Sequence, residues 1–389
     1  MNGETWLKSA DQALALAASQ IKLIRAVTPS NGDAELVELE RAFRRGSPRP
    51  PRWTYDEATV PVELCVALEK LAHFLDGVSP LGQVYAARAR ELCLEASIID
   101  SVGTPRIATR AKERFIPKTE EAAADLARAD ALAASWATDA AIEAPDRFDE
   151  KVRTCDTAHP ASLISRMSCE AGRAKLPMRI VLQPGLASLA ATGDSVIVIA
   201  PGKWVRSRDV ERTVLHEIAG HALPRKLAAS APLGIFAVGT AHGVDDQEGR
   251  ALLIEESAGF FDAGRRRELG LRHLAARSTL EGGTFVDVTR ALLERGARID
   301  EALRIASRVQ RGGQGAGGLA REIVYLPAYL RVHRAMCGPF AAVVSRAMAR
   351  GRVASGVAPV VAIGCEDLQN HTDSGKPDIK KAVLAHLWD

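Results

Sequence analysis

Apolar residues recur at helical spacing through the first third of the chain. Residues 8–27 carry one stripe, closed by Thr28-Pro29. Leu64, Leu68, Leu71 and Leu75 make a second, residues 81–99 a third, and residues 119–141 an alanine-rich fourth. Between the first two, the Pro- and Arg-rich stretch from Arg44 to Trp53 predicts an exposed connection. Such stripes mark faces that pack into a core, so no chemistry is assigned to them.

The pattern changes near residue 150. Arg179–Leu182 and Ser195–Ile199 are short, β-branched and strongly apolar, which predicts two strands with turns at Gly185 and Gly193-Asp194. After Pro201-Gly202 the helical period returns. Val210, Val214 and Ile218 form the buried stripe, Ser207 is the expected N-cap, and Asp209 and Glu211 suit the positive end. Pro224 is expected to stop this helix. Further helices are predicted near 247–261, 286–296, 299–310 and 319–336, the last two separated by the glycine-rich stretch 312–318. No Gly-Lys-Ser/Thr follows those glycines, so they form no phosphate loop. The pattern predicts an α+β protein, predominantly α-helical, with a helical region over 1–150 and a second region over 151–389 that holds a small β-sheet.

Composition narrows the function classes. The 389 residues are 47% hydrophobic and 25% charged, enough to bury a sizeable core. Lys and Arg exceed Asp and Glu by only 51 − 48 = 3, which provides no global field for nucleic acid or anionic lipid. No apolar run approaches the ~18 residues that span a bilayer. The Ala13–Ala18 stretch reads as part of an amphipathic helix rather than a secretory core, because Asp11 precedes it and Lys22 and Arg25 follow. Six scattered cysteines without a C-x-x-C pair suggest reduced thiols in a cytoplasmic protein.

The chemistry concentrates in His216-Glu217-Ile218-Ala219-Gly220-His221, an H-E-x-x-x-H pattern. On a regular helix, residues five apart differ by about 140° and do not share a face. A local π-turn brings them together, and Gly220 eases that distortion. Composition alone produces such a pattern by chance in roughly 1–2% of chains like this one. A zinc site also needs a third protein ligand and an open position. Downstream candidates are His242, Asp245, Asp246, Glu248, Glu255 and Glu256. Glu248 and Glu255 are seven apart on one helical face, so either can reach the ion while the other orients a histidine. Asp245 and Asp246 are expected to cap the helix. The remaining histidines, His73, His159, His273, His333, His371 and His386, stand alone and read as structural or surface residues.

These residues resemble a metallopeptidase family with bacterial members named for a Q-E-G-L-A motif and animal members that are the microtubule-associated tyrosine carboxypeptidases. The likeness covers nearly the whole chain. It rests on the H-E-x-x-x-H and on Gln247-Glu248-Gly249-Arg250-Ala251, with further similarity in Arg308–Gly312, Arg321–Leu326, Pro80-Leu81-Gly82 and the two strands. The resemblance implies that His216, His221 and Glu248 hold one zinc per chain, with Glu217 as general base and proton shuttle. It implies a zincin-like core with the N-terminal helices packed on it as one unit. The substrate would be a peptide or protein C-terminus, with neither nucleic acid nor membrane as partner. Tyr325 is the expected donor to the oxyanion, and Arg311 and Arg321 are the expected cations for a terminal carboxylate. Endopeptidase or peptide-maturation activity, and a non-catalytic metal- or peptide-binding role, are the competing readings. Arg250 stands where the motif has Leu, Arg321-Glu322 where Lys-Asp is expected, and residues after about 350 look unlike the family.

Overall fold

The helical stripes of the first third pack on one another and on the rest of the chain. In the computed structural model, which describes residues 3–139 and 151–370, Val62–Leu75 packs along Pro80–Ile99. Ser79 caps the second of these, its hydroxyl accepting from the Gly82 amide at 3.0 Å with Pro80 in the first turn. Leu68, Leu75, Tyr85 and Leu92 of these two helices are buried in one core shared with the first helix and with residues far downstream. The predicted first helix is broken: Gly3–Gln20 ends before Ile21-Lys22, and a short turn, Leu23–Ala26, follows. The alanine-rich helix spans Glu120–Ala137; the end of its predicted range, like His371 and His386, lies outside the described residues. It packs on Ala263–Leu280, a helix the pattern did not single out. Asp11 accepts from both the Tyr85 hydroxyl (2.7 Å) and the Gly234 amide (3.0 Å), tying the first helix to residues far downstream.

Two small sheets lie ahead of the motif helix. Strands β1 (Lys151–Arg153) and β5 (Trp204–Arg206) pair antiparallel. The other sheet has the order β2 (Arg179–Leu182), β4 (Val196–Ile199), β3 (Ala190–Thr192), with β2 parallel and β3 antiparallel to the central β4. Central β4 is the most apolar strand because it has neighbours on both sides. Its Ile197 and Ile199 pack with Val210, Val214, Ile218 and Ala222, so the predicted stripe faces the sheet. The protein is α+β and mostly helical, as the pattern implied. Among the described residues no helix is long and apolar enough to cross a membrane.

The connection from Arg44 to Trp53 is mostly exposed, as expected, but its end is anchored: Trp53 is buried edge-on against Phe285, and Arg49 pairs with Glu35. Two local expectations fail. The 319–336 helix instead begins as a 3₁₀ turn, Arg321–Val324, after Ala320 in the left-handed region (φ 52°), and continues as Tyr325–Cys337. Pro224 does not stop the motif helix, which runs on as Leu223–Ala228.

Candidate metal centre

The helix that carries the motif changes register at the motif. Ser207–Leu215 is α-helical, His216–Ala222 is a π-turn, and the Leu223 amide reaches back five residues to the Ile218 carbonyl. Five residues then close about one turn, which returns His221 to the face of His216. The two Nε2 atoms lie 3.1 Å apart. Gly220 permits this turn to approach the next helix, Gly243–Ser257, since a Cβ at 220 would lie 2.7 Å from the Ala251 Cβ.

That second helix delivers Glu248. Its Oε2 lies 3.5 Å from each of the two Nε2 atoms. A tetrahedral zinc with ligand bonds of ~2.0–2.1 Å has ligand-to-ligand edges of about 3.3–3.4 Å, so the triangle fits such an ion. The hydrogen bonds support the same conclusion. His216 Nδ1 meets Glu255 Oε1 at 2.7 Å, and His221 Nδ1 meets Gln247 Oε1 at 3.0 Å. Both partners are acceptors, so each Nδ1 carries the proton and each neutral ring turns an Nε2 lone pair toward the other. Glu248 Oε2 joins them, buried and without a hydrogen-bond partner. Three converging acceptors without a donor are costly unless a cation or a proton lies between them. With no cation, a proton takes that place. Burial disfavours a charged His216, but Glu248 and Glu255 outweigh it and push its pKa up to about 10. Glu255 stands outside the triangle, on the far nitrogen of His216. It orients His216 and is itself held by Arg265 at 2.8 and 2.9 Å.

Glu217 is buried on the side facing β3, where the Thr192 hydroxyl donates to its Oε2 at 2.7 Å. Sequence reasoning missed Thr192, because only the pairing of β3 with β4 brings it to the motif. The other corner is built by residues 308–325. Leu319 N–H bonds to Arg311 O (3.0 Å) and Ala320 N–H to Val309 O (2.8 Å), which brings Arg311 and Arg321 to the same place. Arg321 is already engaged, donating to Glu248 Oε1 at 3.3 Å. Arg311 is 9% exposed, its Nε has no partner, and among the described residues it pairs with no carboxylate. Burial lowers its pKa to about 10 despite the pull of Glu322. Glu322 is buried under Arg272 (2.6 Å) and Arg308 (2.9 Å). Tyr325 is buried beneath the Arg272 guanidinium, which lies 4.6 Å from its ring centre. Among the described residues its hydroxyl has no hydrogen-bond partner. Burial, then Glu248 and Glu322, push its pKa up to about 12.

Residues 40–353 match the family model of the microtubule-associated tyrosine carboxypeptidases. The chain belongs to this family. No curated protein matches it. Among solved structures it is similar to a protein assigned as a lipoprotein from Colwellia psychrerythraea, with 13% identity and a TM-score of 0.43. The alignment covers 76% of this chain, and the chain spans 65% of that protein's length. The match to the tyrosine carboxypeptidase model ends near the point where the sequence ceases to resemble the family.

The other candidate ligands lie elsewhere. Asp245 and Glu91 close on Arg114 at 2.9 and 2.8 Å, with His242 beside them, so a guanidinium fills that second cluster. Asp246 holds Arg331 and the Ser355 amide and hydroxyl, and Glu256 accepts from Tyr329. Neither aspartate is the N-cap, a place taken by His242 in the left-handed region (φ 58°). Arg250, which stands where the Q-E-G-L-A motif has Leu, donates to the Ala219 carbonyl at 3.0 Å.

Proposed function

We propose that the chain is a zinc-dependent carboxypeptidase that removes residues from the C-terminus of a peptide or protein. The observation that carries this reading is the triangle of His216, His221 and Glu248, with both imidazoles held by acceptors on their far nitrogens. Zinc bound there supplies a Lewis acid for the peptide carbonyl and lowers the pKa of a bound water towards ~7.

The chain's own groups do the rest. Glu217, oriented by Thr192, takes the proton from the attacking water and returns it to the leaving amine. Tyr325, with its pKa raised, keeps its proton at neutral pH and donates to the oxyanion. Arg311 binds the terminal carboxylate, because its guanidinium is buried without an acid of its own and can pair bidentately. Arg321 holds Glu248 in place and adds positive charge beside the carboxylate. An endopeptidase has no use for a buried, unpaired guanidinium, so Arg311 favours the exopeptidase reading.

Metal content decides the first half of this proposal. Purified protein is expected to hold about one zinc per chain, and His216→Ala to lose it. A digest of a peptide library, read for C-terminal losses, decides the second half. No stoichiometric zinc after reconstitution would sink the mechanism, and internal cleavage would replace exopeptidase with endopeptidase.

A further inference from the structure

The π-turn leaves one backbone carbonyl without its helical donor. In this turn each carbonyl takes the amide five residues on, as Ile218 takes that of Leu223. Ala219 would take the amide of residue 224, which is proline and has none. Arg250 supplies the missing donor, its Nη1 lying 3.0 Å from the Ala219 oxygen. The arginine stands two residues after Glu248, next to Ala251, which packs on Gly220. The seam between the two ligand-bearing helices is therefore Ala219-Gly220 against Arg250-Ala251. Burial lowers the Arg250 pKa, and no carboxylate counters that effect among the described residues. A desolvated guanidinium without an acid is costly, and the carbonyl bond is the interaction that offsets it.

The bond bears on the choice between two registers. If the turn tightens to an α-helix, the Leu223 amide moves from Ile218 to Ala219, Pro224 leaves the Gly220 carbonyl without a donor instead, and Arg250 loses its place on Ala219. In that register His221 swings about 140° from His216, and the pair no longer faces one ion. We propose that Arg250 is a positioning residue that fixes the π-register by occupying the Ala219 carbonyl, and so holds His221 and Glu248 together. Zinc binding by the triad is the reading on which one of two measurements rests, and the other needs no metal.

The first measurement is amide hydrogen exchange in the metal-free full chain, over residues 216–224. Arg250→Leu is expected to speed exchange of the Leu223 amide at least about tenfold, and Arg250→Lys, which keeps one donor, to stay near wild type. The second is zinc affinity by chelator competition. Arg250→Leu is expected to weaken binding about 10–100-fold, with the melting temperature of the metal-free protein little changed. Pro224→Ala supplies an amide to Ala219 in the π-register and to Gly220 in the α-register, so Arg250→Leu is expected to have a much smaller effect in that background in both measurements. Should Arg250→Leu fail to fold alone, Arg250→Leu/Pro224→Ala is compared with Pro224→Ala, and near-identity is the expected result. Wild-type exchange in Arg250→Leu, or an equal effect of Arg250→Leu with and without Pro224→Ala, overturns the proposal. Absence of zinc from the wild type would instead overturn the functional reading, and exchange alone would then decide the role of Arg250.

Discussion

The two sides of the site differ in what they lack. Around the π-turn, His216 Nε2, His221 Nε2 and Glu248 Oε2 converge as acceptors with no donor among them. Around the 3₁₀ turn, Arg272 and Arg308 share Glu322, Arg321 takes Glu248, and Arg311 remains a donor with no acceptor. The first deficit suits a cation and the second an anion. A substrate whose peptide bond meets the first and whose terminal carboxylate meets the second satisfies both. The fold connects the two deficits through the Glu248–Arg321 pair, with one oxygen of the same carboxylate on each side.

If this division is right, variants on the acceptor side change turnover or metal, and variants on the donor side change substrate binding. The largest effect is expected from Glu217→Gln, which lowers kcat by about 10³-fold while zinc content stays at the wild-type value. A variant that also lost its zinc would place Glu217 in the metal cage instead. Tyr325→Phe comes next, with kcat down about 10²-fold and KM little altered in steady-state assays. Arg311→Met is expected to lower kcat/KM about 10–100-fold for peptides with a free C-terminus, and to leave C-terminally amidated peptides unchanged. Equal losses on both substrates would remove Arg311 from carboxylate recognition and break the comparison.

The smallest effect on catalysis, and the clearest on stability, concerns Glu322. Burial pushes its pKa up, but Arg272, Arg308 and Arg311 outweigh burial and hold it at about 2. The unfolded chain has a value near ~4.3. Because the folded value is the lower one, this stabilisation is complete above the unfolded value and is lost as the pH falls from there through about 2. The melting temperature is expected to drop over that window. Glu322→Gln is expected to flatten the acid limb and to cost about 3–5 kcal/mol at neutral pH, because it leaves buried arginines unpaired. A thermal melt series from pH 7 to pH 2.5 on both proteins checks this.

The two sides were unequally legible in the sequence. On the acceptor side, six consecutive residues name the two histidines and the glutamate of the proposed site, and an i, i+5 pair facing one point needs the π-turn that is found. Its limit was the choice between Glu248 and Glu255, which share a helical face and are told apart only by which nitrogen of His216 each one meets. The donor side is assembled from the end of one helix, a glycine-rich loop and a left-handed alanine. Periodicity smoothed that stretch into one helix from 319, whereas a 3₁₀ turn begins after the left-handed Ala320 and buries Glu322 beneath two arginines. Thr192 lies 25 residues from Glu217 and left no local signal, since a threonine on a short strand is ordinary until the strand order is known.

The sequence by itself determined the helical class, the apolar stripe under the motif, and the need for a widened turn at His216–His221. Each follows from spacing along a single element, where geometry depends only on neighbours in the chain. Tertiary structure alone decided which carboxylate completes the triangle, which arginine is left without an acid, and which residue holds Glu217. Each of those depends on where two separate elements meet, and packing fixes that meeting point.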